Sequence, residues 1–172
     1  QLKRRVSLAD FPTKKYGVIY ADPPWQFKLR SDKGKDKSPE RHYPVLSLTD
    51  ICRLPVDTIT EDNAVLLMWV CDPMLDQAFK VIDAWGFTFK TVGFTWAKTN
   101  RKKLGFFTGL GYWTRGNPEM CLLATKGRPK RKAMDVAQLV ISQRGRHSEK
   151  PLLHKEIERL VDGPYIELFA RK

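Results

Sequence analysis

The sequence predicts an α/β fold, and three observations carry that prediction. Short apolar runs of strand length recur along the chain, at residues 18–20, 64–71, 87–98, 120–125, 139–142 and 165–170. Helical patterns stand between them, one opened by Asp72-Pro73 and closed by Gly86, another opened by Pro151 and closed by Asp162-Gly163. The chain has 172 residues and is 42% hydrophobic, enough for a single domain over residues 1–172 with a real core. The first residue, Gln1, is not Met, so the chain reads as a fragment of a longer product. No apolar run reaches membrane-spanning length, and Gln1-Leu2-Lys3-Arg4-Arg5 has no signal-peptide core. An intracellular protein, cytoplasmic if bacterial or phage-encoded, is expected. Cys52, Cys71 and Cys121 are widely spaced with no CxxC, which speaks for a reducing interior and against zinc.

Val18, Ile19 and Tyr20 form the first strand, bounded by Gly17 and by Pro23 and Pro24. Two prolines have fixed φ and no N–H, so the chain leaves the sheet stiffly, with carbonyls expected to be free acceptors. Ligands of open α/β sheets gather at carboxyl ends of strands. Asp22, two carbonyls and the Trp25 indole therefore stand together where a ligand would sit. The set suits one task, gripping a planar base by an exocyclic amino group. The adenine 6-amino nitrogen is a poor nucleophile because its lone pair is delocalised into the ring. A carboxylate and a carbonyl accepting its two hydrogens would localise that pair, an aromatic face would hold the base in plane, and an electrophilic methyl, as on the sulfonium of S-adenosylmethionine, could be attacked in line. The plainer alternative is an Asp-Pro turn beside a core Trp.

Residues 26–42 are polar, with six basic and three acidic side chains, and read as a mobile loop leaving this turn. His42-Tyr43-Pro44 closes it, and Ser47 with Asp50 has the form of a capping box opening a short helix. The run at 64–71 is a fully apolar strand. The helix after Asp72-Pro73 sets Met74, Leu75, Ala78, Phe79, Ile82 and Trp85 on one face, so Trp69 and Trp85 are read as core. The next strand brings Trp96 near its carboxyl end. Residues 101–132 then hold nine basic side chains (Arg101, Lys102, Lys103, Arg115, Lys126, Arg128, Lys130, Arg131, Lys132) against one acid, Glu119. Phe106, Phe107, Tyr112 and Trp113 are interleaved. Cations for phosphates and aromatics for bases are the pairing used on single-stranded or extruded nucleotides, and the net charge of +12 also points to a polyanionic partner. The glycines here are not in GxGxxG order, which argues against a phosphate loop. Glu119 opens a strand, and either a pocket carboxylate or a salt bridge to Arg115 explains it. With Pro151 as the first helical residue, Lys150 would sit at the positive end of a helix dipole, where a docked anion rationalises it and a solvated lysine is the alternative.

Asp22-Pro23-Pro24-Trp25 resembles the Asp-Pro-Pro-aromatic signature of amino-methyltransferases. Its Trp form is similar to that of the adenine-N6 methyltransferase family that includes the catalytic subunit of the eukaryotic messenger-RNA adenine writer, with bacterial and phage members. The stretch 111–127 (GYWTRGNPEMCLLATKG), the His147-Ser148-Glu149-Lys150-Pro151 loop and Glu167-Leu168-Phe169-Ala170-Arg171 are similar to the family's as well. The resemblance covers about Tyr16 to Arg171. It implies a Rossmann-like, S-adenosylmethionine-dependent methyltransferase fold in permuted order, with the catalytic motif N-terminal and the cofactor strand C-terminal. It implies catalytic roles for Asp22, Pro23, Pro24 and Trp25, and places Tyr43, Trp96 and Glu119 beside the acceptor adenine. Asp22, His147, Lys150, Phe169 and Arg171 would hold S-adenosylmethionine, with no metal. Relatives continue into a segment with an Asn for the cofactor ribose and adenine, so a trimmed tail or weakened cofactor binding is expected. The expected activity is methyl transfer to adenine N6 in nucleic acid, DNA favoured over RNA. A weak or inactive nucleic-acid-binding paralogue, partner of an active enzyme, is the alternative. A homodimer, or a heterodimer with a related subunit, fits either reading.

Overall fold

The computed structural model describes residues 11–26, 46–145 and 149–169. Six strands form one mixed sheet: β1 (Tyr16–Ala21), β2 (Thr60–Val70), β3 (Thr88–Thr99), β4 (Glu119–Lys126), β5 (Leu139–Gln143) and β6 (Tyr165–Leu168). Their spatial order is β5-β3-β4-β2-β1-β6. β1 pairs in parallel with both β2 and β6, and β3 pairs in parallel with β5. β4 runs antiparallel between β2 and β3. The carboxyl ends of five strands and the amino end of β4 therefore share one edge of the sheet.

Alternation along the strands divides the core in two. On one face Ile19, Ala21, Leu66, Met68, Val70, Leu122 and Ile166 pack under helices α1 (Leu48–Arg53) and α2 (Leu75–Ala84). On the other, Val18, Tyr20, Leu67, Trp69, Phe94, Trp96 and Cys121 meet Leu153 and Ile157 of the segment carrying α3 (His154–Leu160). The result is three layers, as expected for strands whose two faces are both apolar.

The helix boundaries follow from local chemistry. The Ser47 hydroxyl accepts from the Asp50 N–H at 3.1 Å and caps α1. Asp72-Pro73-Met74 forms a 3-10 turn ahead of α2, and Gly86 follows it with a left-handed φ of 81°, the conformation that lets the chain reverse into β3. The Trp85 indole N–H donates to the Ile51 carbonyl at 2.9 Å and ties the two helices together. Trp69 and Trp85 are both core. Phe79 departs from its expected inward position: it is exposed and packs edge-to-face on Phe89. The third helix is a second departure, because α3 begins at His154 and not at Pro151. Among the described residues, no helix is long and apolar enough to cross a membrane.

Candidate active site at the carboxyl edge of the sheet

The chain leaves β1 towards β2 and returns on the opposite side of β1 only with its last strand, β6. The strand order reverses beside β1, which is where such sheets form a ligand crevice. Asp22 stands at that point, its N–H donating to the Leu168 carbonyl at 3.3 Å. Its carboxylate lies 3.8 Å from the Lys150 ammonium. Lys150 also reaches Glu119 Oε2 at 2.5 Å, and Lys98 holds Glu119 Oε1 at 2.8 Å. Side-chain exposures are 18% for Asp22, 17% for Lys98, 13% for Lys150 and 10% for Glu119, so all four charges are largely out of water.

The antiparallel placement of β4 brings Glu119 here, since its first residue pairs with Trp96 at the end of β3. Burial alone would raise the Glu119 pKa; the charges and hydrogen bonds of Lys150 and Lys98 outweigh it, and the carboxyl lies below its ordinary range. Asp72, at the end of β2, is pushed up by burial and by Glu119. Burial and then Glu119 raise the Cys71 thiol to about 12, and burial raises Cys121 and the Tyr20 phenol. The Cys71 and Cys121 thiols are thereby held as inert core groups.

Trp25 lies 5% exposed under the turn, its indole N–H donating to the Trp69 carbonyl at 2.9 Å. Trp69 in turn donates to the Tyr20 hydroxyl at 2.7 Å and lies 5.7 Å beneath the Lys150 ammonium. Trp96 is 1% exposed, packs edge-to-face on Trp69 and has the Lys98 ammonium 5.2 Å from its ring. Trp69 and Trp96 thus form the floor of the charged cluster rather than its open walls, while Trp25 packs in the core on the other face of the sheet. The proline carbonyls correct the sequence expectation. Pro23 accepts the Trp25 N–H at 2.9 Å and Pro24 accepts the Leu46 N–H at 3.1 Å. Each carbonyl oxygen thus uses one of its two lone pairs, Pro23 within the turn and Pro24 on Leu46.

Asp22, Trp25, Trp96, Glu119 and Lys150 are brought together, and half-buried Phe169 follows the β6 end with a left-handed φ of 62°. Tyr43, His147, Arg171 and the 27–42 part of the expected loop lie outside the described residues. Lys150 owes its place to two carboxylates, not to a helix dipole, because α3 starts four residues later. Glu119 pairs with Lys98 and Lys150 and not with Arg115. Lys98 escaped the sequence reading, although alternation through Phe94 and Trp96 puts it on their face.

The basic segments separate. Arg101, Lys102, Lys103 and Arg115 are exposed on the β3–β4 connection at the site's own edge. Arg128, Lys130 and Arg131 follow β4, whose eight residues carry the chain about 25 Å to the opposite edge. There the Arg128 N–H donates to Asn63 Oδ1 at 2.8 Å. Lys132 is drawn into structure, pairing with Asp162 at 3.0 Å and donating its N–H to the Leu160 carbonyl at 2.8 Å.

Sheet and site together define a class: α/β enzymes with an Asp-Pro-Pro-aromatic turn at the carboxyl end of an inner strand. The chain belongs to the MT-A70 family, whose model matches residues 16–172. MT-A70 methyltransferases use S-adenosylmethionine as methyl donor. A Mycoplasma protein named type II methyltransferase M.MunI is 35% identical over 185 residues, spanning 93% of this chain and 74% of its own. Human METTL3, named an N(6)-adenosine-methyltransferase catalytic subunit, is 28% identical over 161 residues, spanning 91% of this chain. The match covers only 26% of METTL3. An Arabidopsis thaliana protein named N(6)-adenosine-methyltransferase MT-A70-like is 26% identical over 91% of this chain and 22% of its own.

Proposed function

We propose that this chain transfers a methyl group from S-adenosylmethionine to the 6-amino group of adenine in nucleic acid, with DNA favoured over RNA. The observation that carries the reading is Asp22 at the divergence point of the sheet, on a proline turn whose carbonyls each keep one lone pair, beside Lys150 at 3.8 Å. Asp22 accepts a hydrogen bond from one hydrogen of the amino group and a proline carbonyl accepts one from the other, which localises the nitrogen lone pair. The proton released after transfer has the Asp22 carboxylate as its nearest acceptor. Rigid proline backbone and the buried Trp25 anchor fix that geometry before substrate arrives, which is where rate is gained.

The charge pattern fits the donor. Asp22 and Lys150, a carboxylate and an ammonium 3.8 Å apart, would hold the amino-acid end of the donor. Phe169, His147 and Arg171 complete the assigned cofactor set, and Tyr43, Trp96 and Glu119 the acceptor side. When bound, S-adenosylmethionine supplies an electrophilic methyl on its sulfonium sulfur. The sheet is read as a permuted Rossmann-like domain in which β6, last in sequence and beside β1, is the cofactor strand. DNA is favoured because similarity is higher to the Mycoplasma type II methyltransferase than to proteins named for adenosine, a ribonucleoside. Partnership with nucleic acid follows from the basic rim, and a dimer with itself or a related subunit belongs to the same proposal.

The test is labelled methyl transfer to matched DNA and RNA pools followed by nucleoside analysis, with Asp22→Ala beside the wild type. Loss of one oriented acceptor is expected to lower the rate by about 10² to 10³. An Asp22→Ala rate within a few-fold of wild type ends this mechanism, and label recovered in any base but adenine ends the assignment.

A further inference from the structure

The β3–β4 connection carries a feature that the charged cluster does not use. It leaves the site's edge as two successive hairpins. The first is closed by the Phe107 N–H on the Lys98 carbonyl at 2.8 Å, the second by the Gly109 N–H on the Gly116 carbonyl at 2.7 Å. Asn117 clamps their base: its Oδ1 accepts from the Lys98 N–H at 3.0 Å, and its Nδ2 donates to the carbonyls of Lys98 and Phe107. The connection is thus a built projection rooted on the strand that supplies Lys98.

At its tip Trp113 is 93% exposed, with Tyr112 at 64%. Trp113 has a left-handed φ of 68°, a conformation that a bulky residue rarely takes and that clusters at functional sites. A Cβ at Gly111 would collide with the Thr114 carbonyl oxygen, so this close approach within the hairpin admits only glycine. The largest apolar side chain is displayed in water where burying it would be the default. Arg115 lies in the same hairpin and Arg101, Lys102 and Lys103 in the preceding one, and residues 100–118 contain no acidic side chain. A protein surface could cover an aromatic tip, but a tip on a connection with four exposed cations and no acid complements stacked bases between phosphates.

We propose that the 109–116 hairpin is a nucleic-acid finger in which Trp113 stacks on a base flanking the target adenine, with Arg115 and Arg101–Lys103 on the adjoining phosphates. The ligand class rests on the proposed adenine transfer, whose own test is independent. Stacking at the flank holds the strand in register while the target base is out of the stack, so the finger governs oligonucleotide affinity and not cofactor affinity.

The experiment uses a single-stranded deoxyoligonucleotide of about fifteen nucleotides with one adenine and 2-aminopurine beside it. It is titrated into wild type, Trp113→Ala and Trp113→Phe. Wild type is expected to change the 2-aminopurine fluorescence on binding. Trp113→Ala should abolish that change and raise the dissociation constant roughly tenfold or more, while Trp113→Phe keeps it within about threefold. The S-adenosylmethionine dissociation constant should be the same for all three. Equal oligonucleotide affinity of wild type and Trp113→Ala overturns the finger, as does loss of an oligomer in sedimentation without loss of nucleic-acid affinity. Methyl transfer to free deoxyadenosine, too small to span to Trp113, separates the two proposals. Transfer with an unaffected Trp113→Ala titration removes the finger alone; a weakened titration with no transfer to any adenine supports the finger and removes the reaction.

Discussion

Glu119→Gln deletes the central charge of the candidate site while keeping its outline. Glu119 receives Lys98 at 2.8 Å and Lys150 at 2.5 Å, and all three side chains are at least four-fifths buried. Removing one member of a fully buried pair costs about 3–5 kcal/mol, because the partner charge is left uncompensated. Here each ammonium keeps some contact with water, Lys150 retains Asp22 at 3.8 Å, and glutamine still offers one oxygen. The expected cost is about 2 kcal/mol, smaller than for a dry pair and larger than for a surface one. For a chain of this size that lowers Tm by about 4–8 °C. The pH dependence has a definite sign. The folded carboxyl titrates below its ordinary range, so its contribution is complete above that range and is lost as pH falls through the lower folded value. Wild type and variant should therefore differ most near neutrality and converge in acid. Thermal melts by circular dichroism across that window decide it. A variant melting within about 1 °C of wild type at neutral pH, or a gap that widens in acid, would refute the reasoning.

Trp25→Ala should cost about 3–5 kcal/mol, since a 5% exposed indole leaves a cavity and an unpaired Trp69 carbonyl, whereas Trp25→Phe should cost about 1–2 kcal/mol. Urea titrations check this, and a Trp25→Ala protein as stable as wild type would remove the anchor role. Neutralising Arg101, Lys102 and Lys103 should reduce the salt dependence of single-strand binding by up to about 2 in log–log slope. The same treatment of Arg128, Lys130 and Arg131, at the far edge, should reduce it less; equal slopes would mean that both edges bind. At saturating cofactor an unpaired or mismatched adenine should be methylated faster than a paired one, because extruding a base costs a few kcal/mol. Equal single-turnover rates would show that extrusion adds no barrier to the observed step.

Much of this molecule is legible in one dimension. Strands read as apolar runs because both faces of the sheet are covered, and the stops at Pro23-Pro24 and Gly86 are local backbone chemistry that needs no partner. Asp22 at a strand end and a cationic connection with interleaved aromatics were visible for the same reason. Other features depend on who the neighbour is. Whether the Pro24 carbonyl is engaged depends on Leu46, a residue distant in the chain that bridges to Trp25. Whether a lysine after a strand faces an anion or a carboxylate depends on where α3 begins, and that start lies past Pro151. The strand order decided the rest. Inserting β4 antiparallel between β2 and β3 carries Glu119 to the edge that holds Asp22, and carries Arg128, Lys130 and Arg131 to the opposite one. Composition assigns those two groups a charge. Only the pairing of distant strands, a non-local choice made by the whole sheet at once, gives each charge its side.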